Sequence, residues 1–230
     1  IEKRVAHLAQ QIITVSEYDR ELAIRSRIAS SDRIKRIWNG VRDIDPALIA
    51  DTNVSPKRIT MVGRFSSQKC QEQLLQALAK LQRDDWCLDF VGTGPRLSEI
   101  RGQVSDLGLG SRVTFHGQVS DPSTVLARSQ FFALVSRFEG LPRSVLEAMR
   151  AGLPVIASDV GGVSEAVTAE CGYLVPPSDH SSLIRAIDEL LSDELKRATL
   201  GMGARKRYSK EFGLTRMIDE TLAVYEQTMS

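Results

Sequence analysis

From residue 58 onward the chain alternates short, nearly unbroken apolar runs with longer stretches in which apolar residues return every three or four positions. That rhythm is the mark of β-α-β units. Runs at 58–62, 88–91, 112–115, 131–135, 154–157 and 173–175 predict strands, most of them bounded by Gly or a small polar residue. Strands without an alternating polar face are buried on both sides, as in a parallel sheet. Between them, Leu74, Leu75, Leu78 and Leu81, and then Leu97, Ile100, Val104 and Leu107, trace helical faces. Asp179 stands where it caps a helix with an inner face of Leu183, Ile184, Ile187, Leu190 and Leu191, and Leu214, Met217, Ile218, Leu222 and Tyr225 mark a terminal helix. The order predicts an α/β fold, a doubly wound parallel sheet with helices on both faces.

The first fifty residues break this pattern. An apolar strand at 12–15, a helix at 18–28, a run at 34–38 and the Asn39-Gly40 turn read as the end of a different unit. Residues 43–57 then shift to Asp, Asn, Thr and Ser with Pro46 and Pro56, as a linker does. The division expected is 1–42 as remnant and hinge, 43–57 as linker, 58–213 as a Rossmann-like domain and 214–230 as a closing helix. An opening at Ile1, without Met or a signal-peptide layout, suggests a piece of a longer chain.

Composition narrows the function classes. The 42% hydrophobic and 26% charged fractions are those of a globular protein with a sizeable core. A net charge of +1, from 30 basic and 29 acidic side chains, lacks the basic footprint of a nucleic-acid binder, so no nucleic-acid partner is expected. No apolar run approaches the roughly 20 residues of a membrane helix. Cys70, Cys87 and Cys171 are odd in number and widely spaced, so buried reduced thiols in a cytoplasmic protein are expected, with neither disulfide nor metal site. Arg205, Lys206, Arg207 and Lys210 form a basic cluster that reads either as a solvated helix face or as a peripheral contact with anionic lipid at the inner face of the cell membrane.

In an open parallel sheet, ligands sit outside the carboxyl ends of the strands. Gly63, Arg64 and Lys69 follow the first strand, where backbone amides and two cations suit a pyrophosphate; a solvated basic loop is the bland alternative. Gly92 and Gly94 make a Gly-rich turn that would let a ligand approach the backbone, although the final Gly of the dinucleotide fingerprint is missing. His116, Gly117 and Val119 lie at the third exit, with a helix cap at Ser120 or Asp121; His116 reads as a core or rim histidine before a catalytic one.

The fourth exit is the richest. Pro142 fits the first position of a helix, which leaves the amides of Gly140 and Leu141 free for an anion. Glu139 precedes that helix and Glu147 lies on it, at most ~12 Å apart along the axis, comparable to the span from a sugar ring to a ribose across a pyrophosphate. Carboxylates suit those ends because they accept hydrogen bonds from hydroxyl groups. Periodicity supports an equal alternative, in which Glu147 pairs with Arg143 and Arg150 on a solvated face.

These junctions, in order and spacing across residues 58–177, resemble the retaining GT-B glycosyltransferases of family 4. The matching stretches include Val62-Gly63-Arg64 with Lys69, Val91-Gly92-Thr93-Gly94-Pro95, His116-Gly117, Glu139-Gly140-Leu141-Pro142 with Glu147-Ala148-Met149, Gly161-Gly162 with Glu165, and Gly172 with Pro176-Pro177. Glu139 and Glu147 match that family's E-x7-E signature. Cys70 departs from it, standing where the family usually has Gly.

The resemblance implies a hexosyl transfer from a nucleotide diphosphate sugar to a saccharide or lipid-linked acceptor, with retention and no tightly bound metal. It implies that Arg64 and Lys69 hold the diphosphate, that Glu139 lies by the donor sugar without acting as a nucleophile, and that Gly140 and Leu141 give amides to sugar or phosphate oxygens. Glu147 would bond the ribose, and the base would pack near Gly117 and Val119. Residues 1–42 would be the end of an acceptor domain against which the terminal helix packs, so that this piece binds donor but does not transfer. A binding module without catalysis and a nucleotide-sugar epimerase of the same fold are the rival readings.

Overall fold

The computed structural model describes residues 5–229. A small amino-terminal unit comes first: strands β1 (Ile12–Thr14) and β2 (Ile34–Arg36) pair in parallel, joined through helix α1 (Glu17–Arg25). Ser16 caps α1, its hydroxyl accepting from the Asp19 amide. The helix ends earlier than the sequence suggests, at Arg25, because Arg27 turns into the left-handed region at φ 52°.

The main domain follows as β3 (Lys57–Val62), α2 (Gln71–Ala79), β4 (Trp86–Val91), α3 (Leu97–Asp106), β5 (Val113–Gly117), α4 (Ser123–Leu126), β6 (Phe131–Leu134), α5 (Arg143–Arg150), β7 (Val155–Ser158), α6 (Val163–Ala166), β8 (Gly172–Val175) and α7 (His180–Ser192), closed by α8 (Glu194–Glu211) and α9 (Leu214–Met229). All six expected strands form, within two residues of their expected bounds. They make one parallel sheet in the order β5-β4-β3-β6-β7-β8. The chain builds outward from β3 to β5, then crosses back to β6 on the other side of β3 and builds outward again. Right-handed crossovers in opposite directions put α2 and α3 on one face and α5 on the other. Helices α2 and α7 pack together, as do α5 and α8.

Apolar burial holds these layers together. Ile59, Leu88, Phe131, Phe132, Val155 and Ile156 from the strands are fully buried, as are Leu74, Leu75, Val145, Met149, Ile187 and Leu190 from the helices. Each such side chain contributes roughly 1.5–3 kcal/mol when taken from water.

Four sequence readings change. The linker is not loose: the Ala50 amide donates to the Ala151 carbonyl at 2.8 Å, and the Thr52 carbonyl accepts from buried Arg197 at 2.9 Å. The basic cluster on α8 is broken up, because Arg205 bonds Asp43 and the Arg150 carbonyl while Arg207 bonds the carbonyls of Glu165 and Ala166. Cys70 and Cys171 are buried and free as expected, but Cys87 is only half-buried. Pro142 stands at the N-cap of α5 rather than inside its first turn; its φ of −71° is helical but its ψ of 122° is extended.

The start of α9 seats on the amino-terminal unit, with the Leu214 amide donating to the Val41 carbonyl at 3.0 Å. Further along, Ile218, Leu222, Tyr225 and Met229 are exposed.

Candidate functional site

The switch in strand order falls between β3 and β6, and the two loops leaving those strands run antiparallel beside each other. The Cys70 amide donates to the Val135 carbonyl and the Arg137 amide to the Gln68 carbonyl, each at 2.9 Å, around a bridge between Lys69 and Ser136. Phe65 anchors the first loop, fully buried with its ring 5.6 Å from Phe90 and 6.0 Å from Phe115. Cys70 at the end of that loop has φ −79°, so the position does not need glycine, and burial pushes its thiol up from the usual range.

This register brings residues 70 positions apart into contact: Lys69 Nζ pairs with Glu139 Oε1, both side chains largely buried. Gln68 Nε2 bonds the Phe138 carbonyl at 2.8 Å and reaches Glu139 Oε2 at 3.4 Å. Arg64, by contrast, is exposed, and among the described residues its guanidinium has no partner. Gln71 Nε2 holds the Arg64 carbonyl at 3.1 Å. Ser136 Oγ and Gln71 Oε1 are buried here without partners among the described residues.

The turn after β4 works differently from the sequence reading. Gly92 and Gly94 have φ of 136° and 156°, and a side chain on either would collide with the backbone of Gly63 or Phe65. The close approach these glycines allow is thus by the neighbouring loop, so they act as its floor. The Phe65 amide donates to the Thr93 carbonyl and the Gly63 amide to the Val91 carbonyl, each at 2.9 Å.

Gly161 and Gly162 serve the second loop in the same way. A Cβ on Gly161 would strike the Glu139 carbonyl, and the Gly162 amide bonds the Gly140 carbonyl at 3.0 Å. Asn39 Nδ2 donates to the Leu141 carbonyl at 2.8 Å. The carbonyls of this loop are held, while the amides of Gly140 and Leu141 have no acceptor among the described residues. They lie just ahead of α5, where the helix dipole favours an anion.

Glu147 sits on α5, half-buried. The ion pairs with Arg143 and Arg150 that periodicity allows do not form; Glu147 has neither hydrogen bond nor ion pair among the described residues. Arg150 turns inward instead and donates to the Arg42 carbonyl at 2.7 Å, Ser123 Oγ at 2.6 Å and Asp121 Oδ1 at 3.3 Å. Burial raises the Glu147 carboxyl above its ordinary range, outweighing the pull of Arg150 and Arg143. The same Arg150 contacts tie the exit of β5, with Gly117 and half-buried Val119, to the helix that carries Glu147. Gly117 has φ 69° and its carbonyl accepts from the Gly92 amide at 2.7 Å.

His116 stands at the rim, its Nε2 2.9 Å from buried Asp89, which also binds Arg58. Among the described residues no cluster of His, Cys, Asp and Glu could hold a metal ion, and no helix is long and apolar enough to cross a membrane. The structure thus gathers Gly63, Arg64, Lys69, Glu139, Gly140 and Leu141 at the switch point, with Glu147 and the Gly117 loop alongside. Sequence reasoning missed the roles of Gln68, Gln71 and Arg150. Arg150 carried a usable signal: it directly follows the apolar stripe Val145, Leu146 and Met149.

Residues 49–207 match the family described as "Glycosyl transferases group 1". The lipopolysaccharide core biosynthesis mannosyltransferase LpsB of Rhizobium meliloti is 31% identical over 183 residues, 75% of this chain and 52% of that protein. An Escherichia coli UDP-Gal:alpha-D-GlcNAc-diphosphoundecaprenol alpha-1,3-galactosyltransferase is 26% identical over 96% of this chain and 61% of its own length. The crystal structure of Anabaena Alr3699/HepE in complex with UDP superposes with a TM-score of 0.84 at 26% identity, covering 96% of this chain and 65% of that one. Sequence relatives of this kind are longer, and the chain spans about half to three fifths of them.

Proposed function

This chain belongs to the glycosyl transferases group 1 family, and from that premise we propose that it supplies the donor-binding half of a retaining enzyme acting on a nucleotide diphosphate sugar. The reading is carried by the donor set at the switch point: the Arg64 guanidinium and the amides of Gly140 and Leu141 ahead of α5, which have no partner among the described residues, together with Lys69. Lys69 has three N–H donors and Glu139 occupies one, which leaves two for phosphate oxygens. As the diphosphate leaves, negative charge grows on it, and these preorganised donors stabilise that charge without a tightly bound metal. Glu139 accepts from sugar hydroxyls while holding Lys69 in place. Glu147 accepts from the ribose, its carboxylate having no hydrogen bond or ion pair among the described residues, and the base lies against Gly117 and Val119. Retention follows from attack on the face the diphosphate leaves, with no protein nucleophile.

The galactosyltransferase is named for a UDP sugar and the Anabaena structure holds UDP, so uridine is the first base to test. Calorimetric titration with UDP, GDP and ADP sugars should show binding by at least one, and silence from all three would remove the donor-site assignment. The hexosyl acceptor, a saccharide or a lipid-linked one, is met by the rest of a longer protein. Transfer by these 230 residues alone is expected to be absent, and a steady turnover would overturn that part of the proposal.

A further inference from the structure

The Glu165 carboxylate joins the amino-terminal unit to the sheet domain. Oε2 accepts from the Glu17 amide at 2.9 Å and from Trp38 Nε1 at 2.8 Å, and Oε1 accepts from the Tyr18 amide at 2.9 Å. Glu17 and Tyr18 open α1, so the carboxylate also meets the positive end of that helix. Three N–H donors converge on one charged acceptor across nearly 150 residues of sequence, an arrangement that surface ion pairs do not produce.

What the contact holds in place is the wall of the candidate site. Ser16 packs against Gly162, whose amide bonds the Gly140 carbonyl. Val15 and Asp19 sit where a Cβ on Gly140 would meet them, at 2.9 and 3.0 Å. Asn39, next to Trp38, bonds the Leu141 carbonyl. The loop that presents Glu139 and the free amides is therefore clamped between the Gly161-Gly162 turn and the amino-terminal unit, and Glu165 is the charged group that fastens one to the other.

We infer that Glu165 is a positioning residue for the donor site: it touches no part of the ligand site itself, and sets the geometry of the Glu139 loop by locking the α1 and Trp38 segment onto the sheet domain. This rests on the donor-site reading above, and the experiment separates the two. Hydrogen exchange and calorimetry with the UDP, GDP and ADP sugars are run on the unaltered chain, Glu165→Gln, Glu165→Asp and Trp38→Phe. Gln keeps the size but offers one acceptor oxygen and an NH2 that opposes the amides. Glu165→Gln should lose protection at the 17–18 amides and at the Gly162 amide, whose acceptor is the Gly140 carbonyl, and weaken sugar-nucleotide binding by about tenfold, the scale of coupling between separate sites. Trp38→Phe, which keeps a ring and removes one donor, should fall between, and Glu165→Asp should recover part of the affinity. Unaltered exchange at the Gly162 amide in both Glu165→Gln and Trp38→Phe would overturn the inference, as would unaltered affinity beside lost protection. If the unaltered chain binds none of the sugars, the donor reading fails, while the exchange data still decide whether Glu165 orders the loop.

Discussion

Glu139 and Glu147 stand eight positions apart on one loop and helix, yet they meet burial in opposite ways. Glu139 is neutralised in advance by Lys69, with Gln68 at its other oxygen. Glu147 has neither hydrogen bond nor ion pair among the described residues, because Arg150 faces inward, and its proton affinity rises. A carboxylate satisfied inside the protein stabilises the fold. One left unsatisfied weakens the free protein and is compensated only when hydroxyl groups arrive. On the proposed donor-site reading the pair divides labour: Glu139 keeps the loop and its lysine in shape, and Glu147 is left for a ligand.

The comparison breaks most visibly at Lys69. Lys69→Ala leaves Glu139 buried and unpaired, and should cost about 3 kcal/mol of stability by denaturant unfolding as well as sugar-nucleotide binding. Adding Glu139→Gln should return much of the stability but not the binding. If the single change is neutral in stability, the pair is a surface contact and the contrast collapses. Arg64→Ala comes next: with no partner for its guanidinium among the described residues, it should leave stability untouched and weaken binding by ~1–3 kcal/mol, the range for a charged hydrogen bond.

The smallest effect is the most telling. A carboxyl whose pKa is higher folded than unfolded is protonated in both states at low pH, and subtracts stability as pH rises through its folded pKa. Glu147→Gln should therefore raise Tm by up to about 3 °C at pH 7 and by almost nothing at pH 4, while sugar-nucleotide affinity drops by about tenfold. A destabilised variant at pH 7 would show that Glu147 has a protein partner after all.

Strand positions were legible because each run is apolar on both faces, and the helices α2, α3 and α7 because their stripes are long. The short α6 escaped, and α4 was marked only by the cap candidates Ser120 and Asp121, because four residues contain barely one period. Helix α8 escaped for a different reason, since buried Arg197 sits on its inner face and hides the stripe. At the site, residue types at strand exits were readable, but their partners were not. Nothing local tells that Lys69 meets Glu139, because that contact comes from the register of two loops 70 residues apart. Likewise Gly92 looks the same in sequence whether a ligand or Gly63 lies against it. The Glu147 ambiguity turned on one rotamer, the inward turn of Arg150.

Helix α8 touches none of the proposed ligand contacts, yet Arg205 donates to the last carbonyl of α5 and Arg207 donates to those of Glu165 and Ala166 at the end of α6. Both helices that carry the key carboxylates thus have their tails held by one remote element. A survey that ranks substitutions by distance from the sugar would score Arg207→Lys as harmless. Lysine brings a single nitrogen where a planar fork spans two oxygens, so this change on α8 would loosen the end of the helix that carries Glu165.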